Sequence, residues 1–270
     1  MGDIPRSHPR YNSLIGRKLL TEAAADGLLA ASALIAHGRG EAFDYLLGEQ
    51  TCASARRAIS EAAKRLINAE NPVISLNGNA VALAADDLIR CAAVVGCPVE
   101  INIYYRTPER MAALLKRLGE RKEFVAQGKA PEGWSNQHEK RLGNWRTAVE
   151  SVEILGAEPD GLIPGLEGPR ANCCKNGILG ADVVLVPLED GDRCEALVAL
   201  GKQLLVIDLN PMSRTAKTAT VTIVDELMRC SPLLLKDILD GASSQTEKWE
   251  NDANLASCIA VMLDSLPQPN

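Results

Sequence analysis

The chain has 270 residues, 46% of them hydrophobic and 3% aromatic, with a formal net charge of −6. That suffices for one large α/β domain with a core of Ala, Leu, Val and Ile, and the charge argues against nucleic acid or an anionic membrane as the main partner. No apolar run approaches a membrane span, and the opening MGDIPRSHPRYN lacks the apolar stretch of a secretory signal, so a cytoplasmic protein is expected.

The eight cysteines are Cys52, Cys91, Cys97, Cys173, Cys174, Cys194, Cys230 and Cys258. They are dispersed, most in apolar contexts, and no C-x-x-C pair occurs. Free thiols are expected rather than a disulfide framework or a zinc site.

Residues 7–29 read as a helix, with Leu14, Leu19, Leu20, Ala23, Ala24 and Leu28 forming an apolar stripe and Arg17 off its densest part. Residues 32–49 read as two short helices broken at His37-Gly38-Arg39-Gly40. Glycines around an arginine either admit a ligand close to the backbone or mark a plain interhelical turn. A third amphipathic helix spans 51–69, with Thr51 as its expected cap.

The sheet then begins at Pro72–Leu76. Asn77-Gly78-Asn79 follows, either a turn or a set of exposed N–H groups where an anion binds. Residues 98–105 form the second strand, with Arg106 at its end and a helix opened by Thr107-Pro108. Arg106 and Arg110 can clamp a phosphate there, and Arg106 is preferred because Arg110 lies one helical turn in. The polar stretch 119–150 predicts a surface excursion with a helix near its end. Residues 151–155 look like a third strand, and the Gly- and Pro-rich 156–180 is long enough to be functional or mobile.

The densest signal is 182–216. Val183–Pro187 and Gln203–Ile207 are apolar on both faces, as buried parallel strands are, with a helix length between them. Their carboxyl ends carry Glu189, Asp190, Asp192 and Arg193, and then Asp208, Asn210, Ser213, Arg214 and Thr215. Thr220–Val224 is a last strand before a helix over 226–238, and 246–266 is a final helix with a frayed tail. Six strands separated mostly by helices predict an α/β fold: a mostly parallel, doubly wound sheet flanked by helices, with an N-terminal helical layer. The expected division is a helical layer over 1–70, a sheet core over 71–240 and a C-terminal helix over 241–270.

Arginines converging with carboxylates at strand ends suit a nucleotide and a second anionic substrate, with carboxylates for Mg²⁺ or a ribose hydroxyl. There is no G-x-x-x-x-G-K-[ST] and no G-x-G-x-x-G after a strand. Nothing pairs as a nucleophile and base. The residues alone reach a phosphate-ligand α/β enzyme, and a non-catalytic nucleotide-sensing module and a kinase stay open beside it.

Six stretches, IPRSHPRYNSL, LIAHGRGEAFDYLLGE, AENPVISLNGN, VEINIYYRTPER, VPLEDGDRCEALV and IDLNPMSRTA, together resemble the archaeal phosphopantothenate synthetases, the 4-phosphopantoate–β-alanine ligases. The resemblance implies a Rossmann-like homodimer in coenzyme A biosynthesis. It also implies ATP as substrate with Mg²⁺, a phosphopantoyl adenylate, and release of AMP and pyrophosphate. By similarity, ATP contacts fall on Arg17, Arg39, Asp208, Leu209, Asn210, Arg214, Thr215, Glu226 and Leu227, with Glu226 standing where relatives often carry an amide. The strand ends place 4-phosphopantoate on Asn77, Asn79, Arg106, Asp190 and Arg193, with Arg39, Asp190 and Arg193 as the expected catalytic groups. No metal ligand is assigned.

Overall fold

The structure is a computed structural model that describes residues 4–241 and 248–266. Three helices come first, α1 (Tyr11–Ala25), α2 (Ala31–Leu46) and α3 (Ala53–Asn68). Then follow β1 (Pro72–Leu76), α4 (Gly78–Val95), β2 (Val99–Ile101), α5 (Pro108–Gln127), α6 (Asn136–Leu142), α7 (Trp145–Glu150) and β3 (Ile154–Leu155). A short hairpin, β4 (Gly161–Leu162) and β5 (Asn172–Cys173), leads to β6 (Val183–Pro187), α8 (Gly191–Ala199), β7 (Gln203–Ile207), α9 (Arg214–Thr218), β8 (Val221–Ile223), α10 (Leu227–Leu239) and α11 (Asn251–Asp264).

Six strands make one parallel sheet in the order β3-β2-β1-β6-β7-β8, and β4 pairs with β5 antiparallel outside it. Counting only the sheet strands, the order is 3-2-1-4-5-6, which is the Rossmann arrangement. The chain winds outward from β1 to β3, returns to lay β6 against β1, and winds outward the other way. β6 pairs along all five of its residues with β7 and is buried throughout, which its unbroken Val-Val-Leu-Val-Pro run requires. The larger core cluster lies between one sheet face and α1, α3, α4, α5 and α10, and a smaller one covers the other face beneath α8.

Several elements differ from expectation. α2 runs unbroken through His37-Gly38-Arg39-Gly40. Gly40 packs against Leu209, where an added Cβ would sit 3.5 Å from the leucine side chain, so it serves close packing and makes no break. The cap of α3 is Cys52, one residue late, because the Thr51 hydroxyl is spent on Asp225 at 2.6 Å. β2 pairs only to Ile101, and residues 102–105 run on past the sheet edge. Residues 119–150 are only partly a surface excursion. α5 continues to Gln127, and α7 buries Trp145, whose indole N–H donates to the Val125 carbonyl at 3.1 Å. The polar composition misleads there because a few apolar anchors on α7 suffice to dock it. The last helix starts at Asn251, and the tail beyond Leu266 lies outside the described residues.

Candidate active site

The winding of the sheet reverses between β1 and β6, and a ligand crevice opens beyond the carboxyl ends of two strands that part in this way. Asn77 follows β1 there. Its Nδ2 donates to the carbonyls of Pro187 and Leu188, both at 2.9 Å, while its Oδ1 accepts from the Ala80 N–H and caps α4. One amide thus ties the two strand ends and starts the helix. Leu188, in the left-handed region at φ 57°, turns the β6 end outward toward Glu189 and Asp190.

A cavity of about 470 Å³ occupies this crevice. Its walls come from α2 (Ala33, Ala36, Arg39), the start of α4 (Asn77, Gly78, Asn79), the segment after β2 (Tyr104, Tyr105, Arg110), Arg170, and the turn into α8 (Asp190, Asp192). Gly78 is required: a Cβ would stand 2.6 Å from the Leu28 carbonyl and 3.2 Å from the Arg110 guanidinium. Asn79 donates to the Ala33 carbonyl at 3.2 Å, but its Oδ1 is buried without a partner among the described residues, an acceptor that a ligand hydroxyl would satisfy.

Arg110 donates to the Leu28 and Tyr105 carbonyls at 3.1 and 3.0 Å. Its burial, and then the charge of Arg170, push its pKa down. Arg170 lies on the connection between β4 and β5 and is almost wholly buried. It pairs with Glu189 at 2.5 Å and Asp190 at 2.6 Å, and its Nε has no partner. Arg39 is exposed on the same wall, with no hydrogen bond or ion pair among the described residues. Three arginines therefore face one cavity, and neither Arg39 nor Arg110 is matched by a carboxylate among the described residues.

A second cavity, of about 430 Å³, lies on the other side of α2 among α1, the segment before it and the start of α10. Here α2 presents His37, Glu41 and Asp44, one helical face, while Ala33, Ala36 and Arg39 face the first cavity. Most charges of this second cavity are paired, while the exposed Arg6 on its wall has no ion pair among the described residues. Glu41 accepts from Arg10, Ser13 and Arg17, and against the upward push of burial the bonds from Arg17 and Ser13 hold its carboxyl below the usual range. Arg229 is shared between Asp44 and Asp225, at 2.6 and 2.5 Å. Burial pushes His37 down, against the pull of Glu41. Leu209 and Glu226 line this cavity, and Glu226 caps α10 through the Arg229 N–H.

The structure thus gathers Arg39, Asn77, Asn79 and Asp190 on one cavity, and Leu209 and Glu226, with Arg17 at the rim through Glu41, on the other. Two expected substrate residues stand elsewhere. Arg193 is 1% exposed, beneath the cavity floor, where it pairs with Glu189 and donates to Ser75 Oγ at 3.2 Å; its length lets it turn inward from the first turn of α8. Arg106 turns to the carbonyls of Gly156 and Ala157 and holds that turn against the end of β2. Of the remaining expected nucleotide residues, Asp208 is consumed locally. It accepts from the Asn210 N–H at 2.9 Å and the Ser213 hydroxyl at 2.5 Å, and burial raises its pKa. Thr215 donates to the Glu189 carbonyl, Arg214 is exposed beside Glu195, and Leu227 is buried. Sequence reasoning missed Arg170, which no periodicity marks on a Gly- and Pro-rich connection, and set Arg110 second to Arg106. Among the described residues no cluster of three or more His, Cys, Asp or Glu is arranged to hold a metal, and no helix is long and apolar enough to cross a membrane.

A model of the phosphopantothenate/pantothenate synthetase family matches residues 54–264. A 4-phosphopantoate–β-alanine ligase of Thermococcus onnurineus is 41% identical over 98% of this chain and 94% of its own length. That of Methanosarcina mazei is 44% identical over 98% of this chain and 96% of its own, and that of Thermococcus kodakarensis is 44% identical over 87% and 80%.

Proposed function

The chain belongs to the phosphopantothenate/pantothenate synthetase family, and from that premise we propose that it is a 4-phosphopantoate–β-alanine ligase that activates its acid with ATP. The carboxylate of 4-phosphopantoate attacks the α-phosphorus of ATP and pyrophosphate leaves. The β-alanine amine then attacks the acyl carbon of the adenylate, AMP leaves, and 4'-phosphopantothenate remains. No protein nucleophile is needed. The enzyme aligns two anions and screens their repulsion, which is the work of fixed cations and N–H dipoles.

The observation that carries this reading is the pair Arg39 and Arg110, cations on the wall of the switch-point cavity with no carboxylate partner among the described residues. They suit the phosphate of 4-phosphopantoate, together with the N-terminus of α4. Asn79 Oδ1 suits a hydroxyl of the same substrate. Arg170 aims Glu189 and Asp190, and Arg193 fixes Glu189 from below. The nucleotide is assigned to the second cavity and the Asp208–Thr215 turn, so that α2 stands between the two substrates and Arg39 can reach toward both.

Mg²⁺ would come with ATP and neutralise phosphate charge. Asp190 and Asp192 are the carboxylates on the cavity wall that fit it, and phosphate oxygens would supply most of its ligands. A homodimer is part of the same reading. α2 exposes Leu34, Ile35 and Tyr45, the last two more than half exposed, and a partner covering them would bury apolar surface. Light scattering of the purified protein checks it, with twice the chain mass expected.

The deciding experiment supplies ATP, Mg²⁺ and 4-phosphopantoate with and without β-alanine and separates the products. AMP and 4'-phosphopantothenate in equal amounts are expected from the complete mixture. ADP as product would replace the ligase with a kinase, and nucleotide binding without turnover would leave a sensing module.

A further inference from the structure

α3 is capped by a sulfur. Cys52 Sγ accepts from the Ala55 N–H at 3.4 Å, a position usually held by a hydroxyl or carboxylate oxygen. Ser54 Oγ lies 3.0 Å from the same sulfur, and Cys258 Sγ, reaching across from α11, lies at 4.0 Å. Donors that converge on a sulfur at the positive end of a sixteen-residue helix stabilise its thiolate. The bond from Cys258 is the strongest influence, and with Ser54 and the backbone it brings Cys52 down to about 5 despite burial.

The other cysteines differ in both respects that govern reactivity. Cys91, Cys97, Cys173, Cys174, Cys194, Cys230 and Cys258 are buried, whereas Cys52 is half-buried. Burial raises the thiols of Cys97 and Cys194 to about 12 and pushes Cys91 and Cys230 well up. Cys258 is raised because it keeps its proton as donor to Cys52. Neither Cys52 nor Cys258 lines either of the two cavities.

We propose that Cys52 and Cys258 form a thiol–disulfide modification site whose reagent is a low-molecular-weight disulfide. The Cys52 thiolate attacks one sulfur of the reagent, a mixed disulfide forms, and the first small thiolate leaves. Cys258 loses its proton to that thiolate and attacks the Cys52 sulfur, expelling the second small thiolate, which takes a proton from solvent. Two electrons pass from the cysteine pair to the reagent, which ends as two thiols. The sulfurs must close from 4.0 Å to a bond of about 2 Å.

The bond would join α11 to the first turn of α3 within the small cluster that also holds Leu47 and Leu209. Thr51, next to Cys52, bonds Asp225, the neighbour of Glu226 on the second cavity. The site therefore sits directly behind the wall of that cavity.

The test treats the full-length protein with oxidised glutathione, blocks remaining thiols with an alkylating agent, and maps the cysteines by peptide mass. A Cys52–Cys258 linked peptide is expected, absent after dithiothreitol, with the other six cysteines alkylated only after denaturation. In C258S, glutathione is expected to remain on Cys52, and in C52S neither product forms. In brief alkylation of the untreated native protein, Cys52 is expected to react at least about tenfold faster than any other cysteine. Cys52 reacting no faster than the buried thiols, or cross-links distributed over other cysteine pairs, would overturn the proposal.

Discussion

The two cavities flanking α2 are similar in size, about 470 and 430 Å³, and both are lined by arginines, yet their electrostatics differ. In the second, Arg10 and Arg229 on the wall and Arg17 behind Glu41 are paired with Glu41, Glu49, Asp44 or Asp225, while the exposed Arg6 has no ion pair among the described residues. In the switch-point cavity, Arg110 has only backbone carbonyls and Arg39 has no partner among the described residues. An arginine already neutralised by a carboxylate organises structure, whereas one held by carbonyl dipoles alone keeps its charge available for an anion. By this measure the first cavity keeps two cations available to an anion, while most of those around the second are already neutralised.

The comparison can be broken most sharply at Arg170. Arg170→Met leaves Glu189 buried without one of its cations, and a loss of about 3–5 kcal/mol of stability is expected, read from the urea midpoint. A loss below about 1 kcal/mol would show that Arg193 alone satisfies Glu189.

Next in size is Arg110→Ala. Its carbonyl bonds are partly solvent-accessible, so the fold should survive. The KM for 4-phosphopantoate is expected to rise about 10- to 100-fold, the equivalent of one charge-assisted contact, with that for ATP nearly unchanged. Arg39→Ala should weaken both substrates, since Arg39 stands on the partition between them. Equal KM values in wild type and Arg110→Ala would move the phosphate elsewhere.

Arg106→Ala separates the structural reading from the binding one. Arg106 holds the Gly156 and Ala157 carbonyls, so the substitution should lower thermal stability more than it changes substrate affinity. Arg214→Ala should leave the urea midpoint nearly unchanged, because its pair with Glu195 is exposed. A raised KM for ATP in that variant would support its place beside the nucleotide.

The smallest effect concerns pH and belongs to the second cavity alone. His37 has a folded pKa below its ordinary value, so the folded state binds its proton less readily than the unfolded chain does. Its contribution to stability is present above the unfolded value near 6.5 and is lost as pH falls through the folded one. Glu41, also held down, adds a loss at lower pH, below the usual carboxylate range. Urea midpoints across pH 5 to 8 should therefore fall on the acid side in wild type and fall less in His37→Gln. Identical slopes would mean that Glu41 and Asp44, which face His37 from its own helix, and Arg17 from α1 already balance its charge.

Much of the fold was legible because its signals are local. The apolar runs at 72–76, 183–187 and 203–207 mark buried parallel strands, and Thr107-Pro108 marks the start of α5. The site was legible in part. Asn77, Asn79 and Asp190 lie at strand ends, and strand ends are where such sheets bind ligands. Arg193 was misplaced because a polar residue just after a strand is indistinguishable in sequence from one that turns beneath it. Arg170 went unseen because it comes from a connection without periodicity.

The sequence by itself determined which segments are strands and helices, since side-chain periodicity and caps act within a few residues. It also determined the family, through runs of residues spread over the chain. Which strand ends meet was decided by the tertiary structure. The crevice opens between β1 and β6, more than a hundred residues apart, and the densest polar sequence, beyond β6 and β7, supplies only one of its edges. The same holds for charge. Whether an arginine is a strut or a ligand depends on a carboxylate brought to it by packing, as Glu189 is to Arg170 and as none among the described residues is to Arg110.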